Sequence, residues 1–107
     1  MSETIATRTC GLGIAVPDTV VENAPIAARL GVDPEWIVQR TGIRERRVTA
    51  PGERLSDLAA RAASAALADA AMTPAEVDLL LVATSTADEV TPSAAPLVAR
   101  EIGAVNA

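Results

Sequence analysis

Several residue types are missing or scarce in this sequence, and each absence narrows what the chain can do. The 107 residues contain no His, Lys, Phe or Tyr, one Trp and one Cys. A single Cys cannot form a disulfide within the chain, and it fits a reducing compartment. Without a cluster of Cys or His residues, no metal site is predicted. All nine basic residues are Arg, so guanidinium groups alone carry the positive charge.

Excess positive charge and long apolar runs are also lacking. The net charge is −5 at neutral pH, which argues against a nucleic-acid-binding protein, because such proteins need a basic face. The longest apolar run, Leu79–Ala83, is far too short to span a bilayer. The N-terminal residues M-S-E-T-I-A-T-R-T lack the features of a signal peptide. We therefore expect a cytoplasmic protein with neither nucleic acid nor a membrane among its partners.

The chemistry that is present is concentrated between Trp36 and Arg47. This stretch holds the only aromatic residue and four of the nine Arg residues. Asp33 as N-cap, followed by Pro and Glu, predicts a short helix that ends at Gly42. Because Trp36 and Arg40 are four residues apart, they share one face of that helix.

An indole beside a guanidinium suits a flat heterocycle that carries phosphates. The heterocycle can stack on the indole, and the guanidinium can form two parallel hydrogen bonds with a phosphate. A cofactor with a nucleotide tail fits this description. The alternative, a buried core Trp beside solvated Arg residues, stays open on these residues alone.

The rest of the pattern predicts an α/β protein. A strand is predicted at Thr7–Ala15, in which Gly11 and Gly13 allow a neighbouring backbone to approach closely. The apolar run Leu79–Ala83 is typical of a parallel strand buried on both faces. Three further helices are predicted at Asn23–Leu30, Leu55–Ala71 and Pro92–Ile102. A short exposed strand is predicted at Ile43–Val48, and a capping box at Thr73–Glu76.

The predicted helix Leu55–Ala71 has a narrow polar stripe, because nearly everything outside Arg54, Asp57, Arg61 and Ser64 is Ala or Leu. We therefore expect it to be covered on most of its circumference. A chain of this length can hardly supply that cover by itself. Asn23 is predicted to cap the first helix. The adjacent carboxylates Asp88 and Glu89 are expected to be solvated, and Cys10 is expected to be a small buried core residue.

Five motifs in consistent order carry a resemblance to a known family. They are P-D-x-V-V-x-N, D-P-E-W-I-V-Q-R-T-G-I-R-E-R-R, S-D-L-A-x-x-A-A, D-L-L-L-V-A-T-S-T and T-P-S-A-A-P-L-V. Together they resemble the N-terminal third of β-ketoacyl-acyl-carrier-protein synthase III, a condensing enzyme of the thiolase fold. The resemblance implies that residues 1–107 are the N-terminal segment of a layered αβαβα domain, incomplete on its own, that continues beyond Ala107 in the family.

The resemblance also implies roles for individual residues. The residue matching Trp36 stacks on the adenine of coenzyme A, and the one matching Arg40 contacts the same nucleotide. Many members have a polar residue four positions before the Trp, where this chain has Val32. The position of Thr91 reaches the acyl pocket of the partner subunit in family dimers. Since a large aromatic residue there limits the starter acyl group, Thr91 predicts tolerance of starters longer than acetyl.

The implied reaction uses a Cys nucleophile, a His and an Asn that this chain does not supply. In the family the Cys would fall about ten residues beyond Ala107, at a helix N-terminus that lowers its pKa. The resemblance therefore implies an acyltransferase that condenses an acyl-coenzyme A starter with malonyl-acyl-carrier protein, with no catalytic residue in this chain. Coenzyme A enters as the substrate's carrier and no cofactor is tightly bound. The chain alone is expected to be inactive.

Two other functions remain open at this stage. A relative of the family could transfer acyl groups to hydroxyls or amines, or make starter units for polyketides, with the same N-terminal third. A non-enzymatic binding module would retain the Trp36 helix, although the apolar surface of Leu55–Ala71 would then face water and promote association.

Overall fold

A computed structural model describes residues 6–107 of the chain. The chain divides into two compact units. One is Val16–Glu53, and the other joins the described residues up to Ala15 with Arg54–Ala107. None of the helices in the described part of the chain has the length and apolar character needed to cross a membrane.

The Val16–Glu53 unit combines a two-stranded antiparallel ribbon with two short helices. Strands β1 (Thr19–Glu22) and β2 (Glu45–Val48) pair along their full lengths. Helices α1 (Asn23–Leu30) and α2 (Pro34–Thr41) lie between them in the sequence and contact each other. Strand β2 confirms the C-terminal part of the predicted strand Ile43–Val48. Strand β1 was not predicted.

Glycine ends both helices of this unit, as predicted. Gly31 and Gly42 follow α1 and α2 with φ angles of 68° and 72°, in the left-handed region that closes a helix at little cost only for Gly. The start of α1 differs from the prediction. Asn23 is the first helical residue and Glu22 is the N-cap. The side-chain oxygen of Asn23, the atom that would accept at a cap, instead accepts from Arg46, and its nitrogen donates to the carbonyl of Ile43.

The second unit is built on two helices. Helix α3 (Leu55–Asp69) packs against α4 (Ala94–Ile102), and a single 3₁₀ turn at Pro74–Glu76 precedes the apolar run. The buried side chains of this unit are small, and the largest of them is Val98, which is 1% exposed. Since Ala and Val fill little volume, the helices and their neighbours must approach closely to exclude water.

Thr7–Ala15, here called the glycine segment, approaches the backbone of α3 closely at its two glycines, which confirms the prediction. A Cβ atom added to Gly11 would lie 2.8 Å from the Cβ of Ala70, and one added to Gly13 would collide with the carbonyl oxygen of Ala62. The backbone amide of Leu12 also donates to the Asp69 carboxylate at 3.0 Å. The glycine segment is therefore packed directly on the backbone of α3.

Neither predicted strand of this unit is a strand in the structure. Within residues 6–107, Thr7–Ala15 and Leu79–Ala83 pair with no neighbouring strand. In residues 11–15 and in Leu79–Ala83 the burial still alternates from residue to residue as in a sheet. The alternation leaves large apolar side chains exposed on one side, namely Leu12, Ile14, Leu79 and Leu81. A β-strand requires a partner for its backbone groups, which the sequence pattern of one segment cannot guarantee.

Helix α3 is only partly covered within the described residues. Its predicted polar stripe is exposed, but Ala65 and Ala68 are exposed as well. Ser56 and Ala60 are the buried residues. Within the described residues, α4 and the glycine segment contact only part of its surface. This agrees with the expectation that the chain can hardly supply the cover by itself, and coverage on most of the circumference stays a prediction.

Candidate functional site

Helix α2 is a short helix whose two ends are fixed by local interactions. The Asp33 carboxylate accepts a hydrogen bond from the amide of Glu35 at 2.7 Å, which satisfies one of the free donors at the helix start. At the other end, the hydroxyl of Thr41 donates to the carbonyl of Ile37 at 2.7 Å. Ile37 is 7% exposed and anchors one face of the helix. Its neighbours in sequence are therefore held in a defined orientation.

The structure places Trp36 and Arg40 together on α2. The guanidinium carbon of Arg40 lies 5.3 Å from the centroid of the Trp36 ring, within the range of a cation–π contact. Trp36 is 45% exposed, so it is not the buried core residue of the alternative interpretation. The spacing of four residues thus produces the predicted pair of flat groups at the surface. Their role in binding a ligand stays a prediction.

Arg40 differs from Arg46 and Arg47 of this unit in what surrounds it. Arg46 donates to the side chain of Asn23, and Arg47 lies 4.0 Å from the Glu45 carboxylate. Among residues 6–107, no carboxylate lies within ion-pair distance of Arg40. Its hydrogen-bond donors are therefore not engaged by a carboxylate of the described chain, which is what recognition of an external anion requires.

A cleft of about 320 Å³ in the same unit is a poorer anion site. Its walls carry one guanidinium, that of Arg44, against three carboxylates, those of Glu22, Glu35 and Glu45. Neither Trp36 nor Arg40 lines it. The three carboxylates would repel a negatively charged phosphate. The open face of Trp36 and Arg40 is therefore better suited to an anionic ligand than this cleft.

Asn23 forms a buried bridge in this unit that its sequence context does not predict. It is 4% exposed, its amide nitrogen donates to the Ile43 carbonyl at 2.7 Å, and its oxygen accepts from Arg46 at 2.9 Å. The other terminal nitrogen of Arg46 is buried without a partner in the described residues. The motif P-D-x-V-V-x-N contained Asn23, but the motif alone did not reveal this bridge.

Thr91 lies in the loop that leads into α4. It is exposed, and the preceding Val90 is 98% exposed. The peptide bond between Thr91 and Pro92 is cis. Helix α4 begins shortly afterwards at Ala94, which is buried. The structure therefore presents Val90 and Thr91 at the outer edge of this loop.

The prediction that Asp88 is a solvated carboxylate is wrong. Its side chain is 12% exposed, and its two oxygens accept hydrogen bonds from the amides of Leu55 and Ser56 at 2.6 Å and 2.9 Å. Hydrogen bonding from Ser56, with smaller contributions from Leu55 and Arg54, lowers the pKa of Asp88 below its ordinary value of 3.8. The sequence could not show this, because the partners lie more than thirty residues away.

Glu89 is closer to its prediction. Its side chain is 54% exposed, and it contacts the Arg54 guanidinium at 3.4 Å. An ion pair this exposed contributes about 1 kcal/mol or less. Asp88 and Glu89 are adjacent in the chain but differ in their contacts, since Asp88 binds the backbone at the start of α3 and Glu89 binds the Arg54 side chain.

Cys10 is exposed, which contradicts the prediction of a buried core residue. Its sulfur lies 4.0 Å from that of Met72 at the edge of an apolar cavity of about 220 Å³ between the glycine segment and α3. The prediction assumed a strand flanked by neighbours, and in the described residues that strand has none. The contact with Met72 nevertheless places Cys10 against apolar side chains.

Comparison with curated proteins reveals close relatives. The chain is 50% identical over 93 residues to a β-ketoacyl-[acyl-carrier-protein] synthase III of Bradyrhizobium diazoefficiens. It is 52% identical over 93 residues to a 3-oxopimeloyl-[acyl-carrier-protein] synthase of Brucella abortus. Each match covers 87% of this chain and 28% of the relative. The chain thus spans little more than a quarter of the length of these curated relatives.

Solved structures agree with the sequence matches. The priming β-ketosynthase of the R1128 polyketide biosynthetic pathway superimposes with a TM-score of 0.85 at 37% identity, over 92% of this chain and 30% of that structure. No family model matches the chain. The superposition confirms the predicted α/β class and assigns the described residues to part of a thiolase-like fold.

Proposed function

Because the chain corresponds in sequence and fold to the N-terminal part of β-ketoacyl-acyl-carrier-protein synthase III, we propose that it supplies the donor-binding surface of such a condensing enzyme. The correspondence itself confirms the resemblance inferred from the five motifs. The proposed donor is an acyl thioester of coenzyme A. The proposed acceptor is a malonyl thioester carried by an acyl carrier protein.

The observation that carries the proposal is the pairing of Trp36 with Arg40. Adenine is a flat heterocycle that can stack on an exposed indole. The nucleotide of coenzyme A also carries phosphates, for which a guanidinium without a carboxylate partner is a suitable donor. The 5.3 Å separation of the two groups allows one nucleotide to contact both. Val32 adds no hydrogen bond from its side chain at the start of α2.

In the proposed reaction this chain binds and orients the donor, while a Cys outside it performs the chemistry. The thiolate attacks the acyl carbonyl, the bond between the acyl carbon and the coenzyme A sulfur breaks, and an acyl-enzyme forms while coenzyme A leaves as a thiolate. The malonyl thioester then loses carbon dioxide, and the resulting enolate attacks the acyl-enzyme and expels the Cys thiolate. Binding the nucleotide on α2 fixes the far end of the donor, so that part of the orientation entropy is lost before reaction.

The acyl group itself is proposed to meet Thr91. The names of the similar proteins point to different acyl groups. One is named for a 3-oxopimeloyl product, and a structural neighbour is a priming polyketide ketosynthase. A threonine occupies less volume than an aromatic residue, which supports a starter longer than acetyl. The exposed position of Thr91 beside Val90 also fits a homodimer in which this loop enters the partner's acyl pocket.

A starter-unit enzyme of polyketide biosynthesis is the second candidate function. The TM-score of 0.85 to the priming β-ketosynthase favours it. Both candidates require the same coenzyme A surface, so they differ only in which acyl donor and which carrier protein are used. Turnover with malonyl groups on carrier proteins of the two pathways would separate them.

The test uses a chimera in which this chain replaces the matching segment of the Bradyrhizobium synthase, so that a catalytic Cys is present. Coenzyme A affinity is measured for Trp36→Ala and Arg40→Ala, with Gln39→Ala as control because it is an exposed neighbour on the same helix. Loss of stacking, worth about 0.5 to 1.5 kcal/mol, raises the Kd by about 2- to 13-fold. Loss of charged hydrogen bonds, worth about 1.5 to 3 kcal/mol, raises it by at least about tenfold. Unchanged affinity in both variants would remove the proposed donor site.

A further inference from the structure

Asp88 connects the Thr91 loop to the start of α3. Its two carboxylate oxygens accept separate hydrogen bonds from consecutive backbone amides, Leu55 at 2.6 Å and Ser56 at 2.9 Å. The Arg54 guanidinium lies 3.6 Å from the same carboxylate. Negative charge is favourable at a helix N-terminus, and these amides have no partner within the helix. A single side chain thus joins two segments that are far apart in the sequence.

The other end of the loop is also fixed. Helix α4 begins with Ala94, which is 7% exposed, and continues to Val98, which is 1% exposed against α3. Residues 89–93 therefore form a short span between two anchors, Asp88 and the buried start of α4. The exposed residues Val90 and Thr91 lie within this span. Their position depends on both anchors. Asp88 is the one that binds the backbone of another element, whereas Glu89 adds an exposed contact with the Arg54 side chain at 3.4 Å.

We propose that Asp88 is a positioning residue for acyl selectivity: by binding the N-terminus of α3, it holds Thr91 where the starter acyl group is bound. This inference rests on the proposed function, because it needs Thr91 to contact the acyl group. A loop that is no longer held presents Thr91 in several positions, so the boundary it sets on acyl length becomes less sharp. Asp88 acts through Thr91 and contacts no substrate itself.

A carboxylate is the side chain that this connection requires. Two oxygens are needed for two amide donors, and Ala at position 88 would leave both amides without a side-chain partner. Asn retains one acceptor oxygen but loses the attraction to Arg54. Glu89 cannot substitute, because its contact is with the Arg54 side chain and not with the backbone of α3.

Asp57 provides a matched control at the same helix end. Its carboxylate accepts a hydrogen bond from the Arg54 amide at 3.1 Å, so it also caps α3. It makes this contact within the helix start and does not join the Thr91 loop. Asp57→Ala therefore removes a cap of similar kind and leaves the connection through Asp88 in place.

The experiment compares Asp88→Ala, Asp88→Asn, Asp57→Ala and Thr91→Phe in the chimeric synthase. The readout is the ratio of kcat/KM for octanoyl-coenzyme A to that for acetyl-coenzyme A. We expect Asp88→Ala to move this ratio about tenfold toward unity, since small misplacements of a positioning group cost up to about 100-fold in rate. Asp88→Asn should fall between Asp88→Ala and the parent, and Asp57→Ala should retain the parent ratio. Hydrogen exchange of the peptide covering residues 54–58 should increase in Asp88→Ala.

Three outcomes separate this inference from the proposed function. If Thr91→Phe shifts the ratio while Asp88→Ala and Asp57→Ala both retain it, Asp88 is only a helix cap and the inference fails alone. If Thr91→Phe leaves the ratio unchanged, Thr91 does not contact the acyl group, and the inference fails together with the proposed role of Thr91, whereas the donor site at Trp36 and Arg40 is judged by coenzyme A affinity. Where Asp88→Ala yields no folded enzyme, Asp88→Asn decides, and a ratio equal to that of the parent overturns the inference.

Discussion

The Trp36 helix and the Asp88 connection differ in how far apart their parts lie in the sequence. Everything that fixes Trp36 and Arg40 lies within α2 or beside it, including the Asp33 cap and the closing Gly42. The partners of Asp88, by contrast, are 32 and 33 residues away. A helix fixed by neighbouring residues, such as α2, can be predicted from spacing and capping rules. A contact between distant residues, such as that of Asp88, exists only after the chain has folded.

This separation has an energetic consequence. Bringing distant segments together costs loop-closure entropy, which must be offset by packing elsewhere. For Asp88 that packing is the contact of α3 with α4 and with the glycine segment. The Asp33 cap needs no such support. Weakening the packing of α3 should therefore disrupt the Asp88 connection and leave the α2 caps intact.

Gly13→Ala should have the largest effect on the stability of the chain. The added methyl group would collide with the Ala62 carbonyl and the Ala66 amide, both in the backbone of α3. Since a helix backbone cannot move aside cheaply, we expect a loss of about 3 kcal/mol or more in the free energy of unfolding. Urea unfolding followed by circular dichroism would measure it.

Leu12→Ala is the control for this substitution. Leu12 is next to Gly13 but is 72% exposed, so its truncation should change the free energy of unfolding by about 0.5 kcal/mol or less. Equal effects of the two substitutions would show that the glycine segment is not packed on α3 as the structure has it. The contrast between the long-range and the local region would then lose its basis.

Asn23→Ala should cause the next largest loss in the free energy of unfolding. It removes a bridge to partners 20 and 23 residues away, a sequence separation between those of the Asp33 cap and the Asp88 connection. The Ile43 carbonyl and the Arg46 guanidinium would both lose a partner in a region where Asn23 is 4% exposed. We expect a loss of about 2 to 3 kcal/mol. Asn106→Ala is the matched control, because this exposed Asn also donates to a carbonyl, that of Ala75 at 2.7 Å. Its loss should be about 1 kcal/mol or less, and a similar loss in both variants would contradict the bridge.

The helices and their ends were predictable because their signals are local. Asp33 and Gly42 delimit α2 within one residue of the prediction, and Thr73 and Glu76 form the predicted capping contact. The close approach at Gly11 and Gly13 was also predictable, since a residue without a side chain in an apolar strand pattern has few other uses. These features depend on residue type and spacing alone.

The strands and the buried polar contacts were harder to predict for a common reason. Strand β1 was missed, and Leu79–Ala83 was predicted as a strand that has no partner in the described residues. Asp88 and Glu89 look alike in sequence, yet one binds the backbone of α3 and the other an exposed side chain. Each of these errors concerns the identity of a distant partner, which periodicity and capping rules do not contain.

The pKa values of two carboxylates, one with a local partner and one with distant partners, test the contrast between the two kinds of contact, and the expected effect is the smallest of those predicted. The pKa of Glu76 is lowered below 4.5 by hydrogen bonds from the amide and hydroxyl of Thr73, three residues away. The pKa of Asp88 is lowered below 3.8 by Ser56, then by Leu55 and Arg54, and Glu89 faces it across Arg54. In both cases the folded chain binds fewer protons than the unfolded chain. Their stabilising contribution is therefore complete above the ordinary pKa values and is lost as the pH falls through the lowered ones.

In Gly13→Ala we expect the two pKa values to respond differently. Loosening the packing of α3 should return the pKa of Asp88 toward 3.8, because its hydrogen bonds depend on distant segments. The pKa of Glu76 should stay low, because its partner is local. NMR titration of the side-chain carboxyl carbons between pH 2 and 6 in the parent and in Gly13→Ala would measure both. If the two pKa values rise together, the Thr73–Glu76 contact is not maintained by its short sequence separation alone. Both carboxylates would then depend on the same long-range packing.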